Sequence, residues 1–348
     1  MDRRSFLLAG LAAPFAVSRY AFAGDEIYLA DMHFHLFFFG DNTPKRKPLA
    51  ATMAAGNVKL LAWSLVGDVP WIRPSAQGLK QIADPKPGEA LDWFEKDIAR
   101  IKAHLAEQNL KIVLTPDDVD SALKGQPHVV LAVEGASFVD ADPSQLQRAY
   151  DLGVRHLQLV HYIKNPLGDF QTAKPEHDGL TDLGKQVVEE CNRLGILVDL
   201  AHCSADAVSQ ALEASKAPVV WSHSSVTRTK PNWTMAAWKA RQLSLDGAKA
   251  IAGKGGVVGL WAMRSDVGGG IEAYAARLAE MADWLGDDHV GFGTDTNAIV
   301  NPAIANYADL REVVLLWQER GMSHDRIRKI AIENYARVLK QAMGGRQV

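Results

Sequence analysis

Ile27-Tyr28-Leu29-Ala30-Asp31-Met32-His33-Phe34-His35 is the stretch that decides how this chain is read. The apolar run Ile27 to Ala30 has the length and composition of a buried parallel strand, and two histidines stand at its exit. Residues i and i+2 of a strand share a face roughly 7 Å apart, so His33 and His35 can both turn toward one cation. A pair of histidines alone is more often structural than metal-binding. The reading therefore depends on whether further ligands arrive at the ends of other strands.

Outward from this stretch the pattern is strand, loop, helix, repeated. Candidate strands run over 27–33, 58–66, 129–134, 154–161, 196–202, 219–223, 257–262 and 289–295. Most are continuous Val, Ile and Leu runs without alternation, as strands covered on both faces are. Amphipathic helices are expected between them, over 91–107, 182–194, 205–214, 246–253 and 271–285. This alternation predicts an α/β chain folded as a (β/α)8 TIM barrel. A doubly wound open sheet also alternates strands and helices, but no Gly-x-Gly-x-x-Gly opens any helix here. The connection 67–111 carries Pro70, Pro74, Pro85 and Pro87 and reads as an elaborated loop overhanging the functional face. Two C-terminal helices, over 307–320 and 325–343, are expected to pack on the outside, with Ser323 capping the second.

The first twenty-three residues stand apart. Arg3-Arg4-Ser5-Phe6-Leu7, an apolar run to Val17 and the small-x-small site Ala21-Phe22-Ala23 read as a twin-arginine export signal cut after Ala23. That run is too short to span about 30 Å of hydrocarbon. The mature chain, 24–348, is expected to be a single barrel domain in the periplasm, without stable membrane insertion. Loss of Asp2, Arg3, Arg4 and Arg19 moves the formal charge from -3 to -5. A mildly acidic protein with no basic tract is a poor nucleic-acid binder. Its two cysteines, Cys191 and Cys203, fall at opposite ends of a strand of about seven residues, roughly 20 Å apart and beyond disulfide reach.

In an α/β barrel the functional residues gather at the C-terminal ends of the strands. Those positions hold His33, His35, Glu134, His161, His202, His223 and Asp295. Seven metal-competent side chains at one rim exceed what chance supplies from 11 histidines and 41 acids. A single hydrolytic metal wants three protein ligands and an open position, and a binuclear site wants about twice as many with a bridging carboxylate. Glu134 is the bridging candidate, because Gly135 lets the backbone approach closely. Asp295 sits where an acid could touch both a metal and an attacking water. His161 could serve as a ligand or stand beside the metals. His104, His128, His156, His177, His289 and His324 fall in helices, loops or strand starts and read as structural or solvent-facing.

With these residues in place, the chain resembles the membrane dipeptidase (renal dipeptidase) family of the amidohydrolase superfamily. The resemblance is carried by Leu194-Gly195-Ile196-Leu197-Val198-Asp199-Leu200-Ala201-His202, Pro218-Val219-Val220-Trp221-Ser222-His223-Ser224-Ser225, Val290-Gly291-Phe292-Gly293-Thr294-Asp295 and Ala331-Ile332-Glu333-Asn334. It implies two zinc ions bridged by Glu134 and a hydroxide, one held by His33 and Asp295 with His35, the other by His202 and His223. It also implies that His161 polarises the scissile carbonyl and that Arg228 binds the substrate's terminal carboxylate. A planar guanidinium suits that task. Three departures fall near the substrate. His33-Phe34-His35 replaces the family's His-x-Asp, Thr229-Lys230-Pro231-Asn232 lacks the family's Asn and Asp around that proline, and Thr296-Asn297 stands where the family has a second acid.

The resulting expectation is zinc-dependent hydrolysis of a small amide, a dipeptide first of all, with Asp295 moving the proton. Phe37-Phe38-Phe39 beside His35 raises an alternative on the same metals, an N-acyl amino acid or a lactone. A non-catalytic periplasmic barrel that binds metal or peptide is a third reading, against which Asp295 argues, since pure binding needs no proton shuttle. A small molecule or dipeptide is the expected partner, with a homodimer as the candidate assembly.

Overall fold

The computed structural model describes residues 26–38, 48–75 and 78–344. Eight strands follow in chain order: β1 (Leu29–Phe34), β2 (Val58–Val66), β3 (His128–Glu134), β4 (Val154–Gln158), β5 (Leu197–Asp199), β6 (Val220–Trp221), β7 (Val257–Leu260) and β8 (Val290–Phe292). Each pairs parallel with the next. Just past β8 the Asp295 N–H donates to the His33 carbonyl (3.0 Å), and the His35 N–H donates to that of Thr296 (3.1 Å). These two bonds bring the ends of the sheet together into a nearly closed eight-stranded (β/α)8 barrel. They also place two predicted ligand segments side by side.

The helices α1 (Glu89–Glu107), α2 (Asp182–Leu194), α3 (Ala205–Ala214), α4 (Leu245–Gly253), α5 (Ile271–Leu285) and α6 (Tyr307–Glu319) alternate with the strands as expected. In α2 the cause is visible locally. Thr181 caps it by accepting from the Gly184 N–H, Val187, Val188, Cys191 and Leu194 form its buried face, and Gly195 ends it at φ 82. The connection 67–111 forms an antiparallel hairpin of Ile72–Ser75 with Gly78–Gln81 ahead of α1, at the rim where the predicted ligands lie.

Several strands end earlier than their apolar runs do. The ladder stops at Gln158, Asp199 and Trp221, while Leu159, Val160, Leu200 and Ala201 remain fully buried. The chain leaves the sheet there but stays covered by rim loops, so hydrophobicity outlasts the hydrogen-bonded strand.

The expectation for the C-terminus needs correcting. After α6, the chain forms a short helix capped by Ser323 (His324–Arg328), a π-helical turn (Lys329–Glu333) and α7 (Asn334–Gly344). α7 does not pack on the outside. Its Tyr335, Val338, Leu339 and Ala342 share one cluster with Ala30, Met32, Leu60, Val130, Leu197 and Val220, near the starts of the strands. It therefore plugs the N-terminal mouth of the barrel. Small inner residues such as Ala30, Ala62 and Ala132 leave an apolar opening there, and covering it removes that surface from water.

Cys191 and Cys203 are free and buried. The export signal expected at 1–23 lies outside the described residues, as does Phe39. No helix among the described residues is long and apolar enough to cross a membrane.

Candidate metal centre

On β2 and β3 the inner face of the barrel turns polar only near the C-terminal rim. On β2 the sequence Leu60, Ala62, Ser64 runs from the plugged mouth upward, and on β3 it is Val130, Ala132, Glu134. Period-two alternation thus delivers Glu134 to the rim with its side chain inward. Gly135 follows at φ 86, a conformation that favours glycine, and a Cβ there would stand 3.0 Å from the His161 Cβ.

Around Glu134 the predicted histidines converge. Its Oε1 lies 3.1 Å from His202 Nε2, 3.3 Å from His33 Nε2, and 3.4 Å from the Nε2 atoms of His161 and His223. Its Oε2 lies 3.5 Å from His35 Nε2, which is itself 3.2 Å from Asp295 Oδ1. Two groups can each hold a cation, His33 with His35 and Glu134, and Glu134 with His202 and His223. They share Glu134. The opposite ring nitrogens of His33, His35 and His223 are anchored, while His202 Nδ1 is buried without a partner. His35 Nδ1–H donates to the Ser64 carbonyl (2.9 Å), Ser64 Oγ meets His33 Nδ1 (3.1 Å), and Ser222 Oγ meets His223 Nδ1 (2.8 Å). Such outer contacts fix ring orientation and tautomer.

The residues fit a metal on their own chemistry. His33 Nε2 and Glu134 Oε2 are buried without a hydrogen-bond partner, and His202 Nε2 faces His223 Nε2 at 3.2 Å. Lone pairs packed this closely repel unless protons or cations stand between them. Imidazole nitrogens with carboxylate oxygens make a donor set suited to zinc and other transition ions. Burial, then the neighbouring His33 and Arg241, hold His223 well below the ordinary histidine range, and burial with Arg241 and His161 does the same to His202. Burial alone would raise Glu134, but His161, His33 and the bond from His202 hold it well below the carboxylate range. His35 moves the other way: burial lowers it, but the bond to Asp295 and the charge of Glu134 outweigh that. Neutral His202 and His223 beside an anionic Glu134 are in the protonation states that metal ligation requires.

Backbone strain is concentrated here. His202, Asp295 and Asn297 have φ of 70°, 56° and 76°. Non-glycine residues adopt this region at a cost, and such outliers gather at functional sites.

The centre forms the floor of a cavity of about 730 Å³. Pro74, Ser75, Gly78 and Leu79 of the hairpin line it, as the proline-rich connection suggested, and so do His161 and Asp295. Arg228 does not. It is exposed, with its guanidinium 5.1 Å from the centre of the Trp284 ring, and it is not among the lining residues. The guanidinium in the cavity wall is Arg241, only 4% exposed, which donates to His223 Nε2 (2.9 Å) and Tyr162 Oη (3.3 Å). Its Nε has no partner, and no carboxylate pairs with it among the described residues.

Two further residues escaped the sequence reading. Asp68, fully buried, accepts from His161 Nδ1–H (2.7 Å) and from the Tyr162 N–H (2.9 Å), so it aims His161 Nε2 into the centre. It follows β2 by two residues, so the strand-end rule that found the other ligands would have found it. Asp31 accepts from the His33 N–H (3.1 Å), the Thr294 N–H (2.9 Å) and Tyr307 Oη (2.7 Å), tying β1 to the segment that ends in Asp295.

Known proteins share this architecture. A metallopeptidase from Rhodobacter sphaeroides, liganded with a phosphinate mimic of the dipeptide L-Ala-D-Ala, superposes with a TM-score of 0.75 at 22% identity, covering 91% of this chain and 100% of the other. The probable dipeptidase PvdM from Pseudomonas aeruginosa gives 0.75 at 20% identity, covering 92% and 96%. Among curated sequences, dipeptidase tcpJ of Claviceps purpurea is 27% identical over 260 residues, 72% of this chain and 60% of its own length. Dipeptidase aclJ of Aspergillus oryzae is 29% identical over 228 residues, covering 62% and 51%. The chain therefore spans only about half to three fifths of the curated relatives it matches. The family model for membrane dipeptidases matches residues 42–347. By that match, which takes in nearly all of the barrel, the chain belongs to the membrane dipeptidase family, peptidase family M19.

Proposed function

We propose that this chain is a metal-dependent hydrolase of small amides that carry a free carboxylate, a dipeptide being the reference substrate, and that its two ligand groups, which share Glu134, would hold two zinc ions. The observation that carries this reading is the pair of ligand groups sharing one carboxylate, with Asp295 beside them at the cavity floor. His33, His35 and Asp295 would hold one ion, and His202 and His223 the other. When bound, the ions would supply Lewis acidity, polarising the scissile carbonyl and making a water molecule acidic enough to attack.

The remaining work falls to the chain's own residues. Asp295 receives the proton that the attacking water loses and returns it to the leaving nitrogen. His161, held by Asp68, presents Nε2 toward the carbonyl oxygen as negative charge develops there. Arg241 takes the substrate's carboxylate, the role that family likeness assigns to Arg228, because it is a buried cation in the cavity wall with which no carboxylate pairs among the described residues. The lone pair on His223 Nε2 serves either Arg241 or a metal, so metal loading leaves the guanidinium available to substrate. Arg3-Arg4 and the apolar run that follows support export to the periplasm.

The test combines metal analysis with the Asp295→Asn variant of the mature protein. The native protein should hold two zinc ions per chain and cleave members of a panel of dipeptides and N-acyl amino acids. The variant should retain at least one zinc and lose on the order of 10²–10⁴-fold in kcat. Undiminished turnover in the variant, or a native protein that takes up no zinc, overturns the reading.

A further inference from the structure

We infer that the substrate is an amino acid whose nitrogen carries an apolar acyl group, not a dipeptide with a free ammonium. This rests on the proposed hydrolase reading and narrows its substrate. A dipeptide brings three polar features into the cavity: a carboxylate, the scissile amide and an α-ammonium. The first has Arg241 and the second has the metal centre. The third has no carboxylate of its own among the described lining residues. Their only carboxylates are Glu134 and Asp295, and both already face histidine ring nitrogens. Asn297, two residues beyond Asp295, is not among the lining residues, and its side-chain N–H donates to the His35 carbonyl (2.6 Å).

An aromatic face can substitute for an anion in holding an ammonium. Here each of these rings already has a cation or an imidazole beside it. Arg241 lies 5.4 Å from the Trp261 ring centre and 5.9 Å from that of Tyr162, Lys239 Nζ lies 5.3 Å from that of Trp238, and Phe38 stacks on His35 at 5.1 Å. A further ammonium would lose its hydration and meet cations, which costs far more than desolvating a methylene. Among the described residues the wall on the His35 side carries an apolar cluster: Phe38, Leu79 and Ala298 belong together with Ile72 and Ile163. Arg241 sits across the centre, against His223. A substrate laid between them places its carboxylate at Arg241, its amide over Glu134 and its acyl chain against Phe38. Hydrolysis then breaks the amide C–N bond and joins the water oxygen to the acyl carbon. The acyl group leaves as a carboxylate, and both water protons end on the amino acid's nitrogen as its ammonium.

A matched pair isolates the ammonium. Phe-Ala and N-(3-phenylpropionyl)-alanine differ only in that the second has hydrogen where the first has the α-ammonium. Steady-state kinetics of the zinc-loaded mature protein, with both alanine enantiomers, should give the acyl compound a kcat/KM higher by about tenfold or more, since one unpaired buried charge is worth at least that. Equal or preferred turnover of Phe-Ala overturns the inference and leaves the hydrolase reading intact. A zinc-replete protein inert to both compounds and to a broad panel of dipeptides and acyl amino acids overturns both.

Discussion

The two mouths of the barrel are made by the same eight strands, yet they meet opposite problems. At the N-terminal mouth Leu60, Val130, Leu197 and Val220 meet Tyr335, Val338 and Leu339 of α7 in a dry cluster. At the C-terminal mouth, two or four residues further along the same strands, Ser64, Glu134, Asp199 and Ser222 take over the inner face. There the backbone adopts left-handed conformations at His202 and Asp295, and buried nitrogen and oxygen atoms go unpartnered. The first arrangement lowers the free energy of the folded chain, and the second raises it until ligands are supplied. A barrel thus separates the residues that hold it together from those that do its chemistry.

The strongest test of that division is Glu134→Gln. The amide keeps the volume but removes the negative charge that His33, His161, His202 and His223 all face within 3.4 Å. Zinc content should fall below one per chain and hydrolysis by on the order of 10³-fold or more. The circular dichroism of the native fold should persist, because nothing in the α7 cluster is touched. Collapse of the fold would mean that the rim also holds the barrel together.

Leu339→Ala probes the other mouth. Leu339 is fully buried, and truncating it leaves a cavity expected to cost about 2–5 kcal/mol in denaturant unfolding of the apoprotein. Zinc stoichiometry and kcat/KM per folded molecule should be unchanged. A matching fall in kcat/KM would show that the mouths are coupled.

One chain of contacts does cross the interior. Tyr335 Oη meets His156 Nδ1 (3.0 Å), His156 Nε2 faces Asp199 Oδ2 (3.3 Å), and Asp199 Oδ1 accepts the N–H groups of Ala201 (2.9 Å) and Ser222 (3.0 Å), each next to a proposed ligand. Tyr335→Phe removes one buried hydrogen bond, so unfolding should become easier by about 0.5–1.5 kcal/mol. If the division is sharp, kcat/KM stays within about twofold and zinc affinity is unaltered, whereas a tenfold weaker zinc affinity in a competition titration would show this chain positions the ligands.

Much of the rim was readable because a strand covered on both faces announces itself as an apolar run, and a charged or imidazole side chain at its exit has few reasons to be there. His33, His35, Glu134, His161, His202, His223 and Asp295 all fall at such exits, and the structure brings them together. The plug was not readable. The apolar stripe of α7 states that it must be covered, but a stripe looks the same whether it lies along the barrel's flank or across its end. Arg241 was hidden for another reason. It follows a four-residue helix, Ala237–Ala240, in the connection after β6, and no periodicity reports where such a loop returns to the cavity.

Arg228 marks how far the functional mouth extends, and it carries the smallest expected effect. Likeness to the family places Arg228, three residues before Pro231, on the substrate carboxylate, but sequence position says nothing of the loop's path. Here the side chain is exposed and lies over Trp284, whose ring also receives Arg277 at 5.0 Å. Water solvates a guanidinium so placed, and an exposed cation–π contact contributes about 0.5–1 kcal/mol at most. Arg228→Ala should therefore shift KM by less than about twofold, with kcat and zinc content unchanged. A tenfold rise in KM with kcat preserved would mean that the loop after β6 folds over bound substrate and brings Arg228 to the carboxylate. The boundary of the site would then be set by substrate binding and not by the barrel alone.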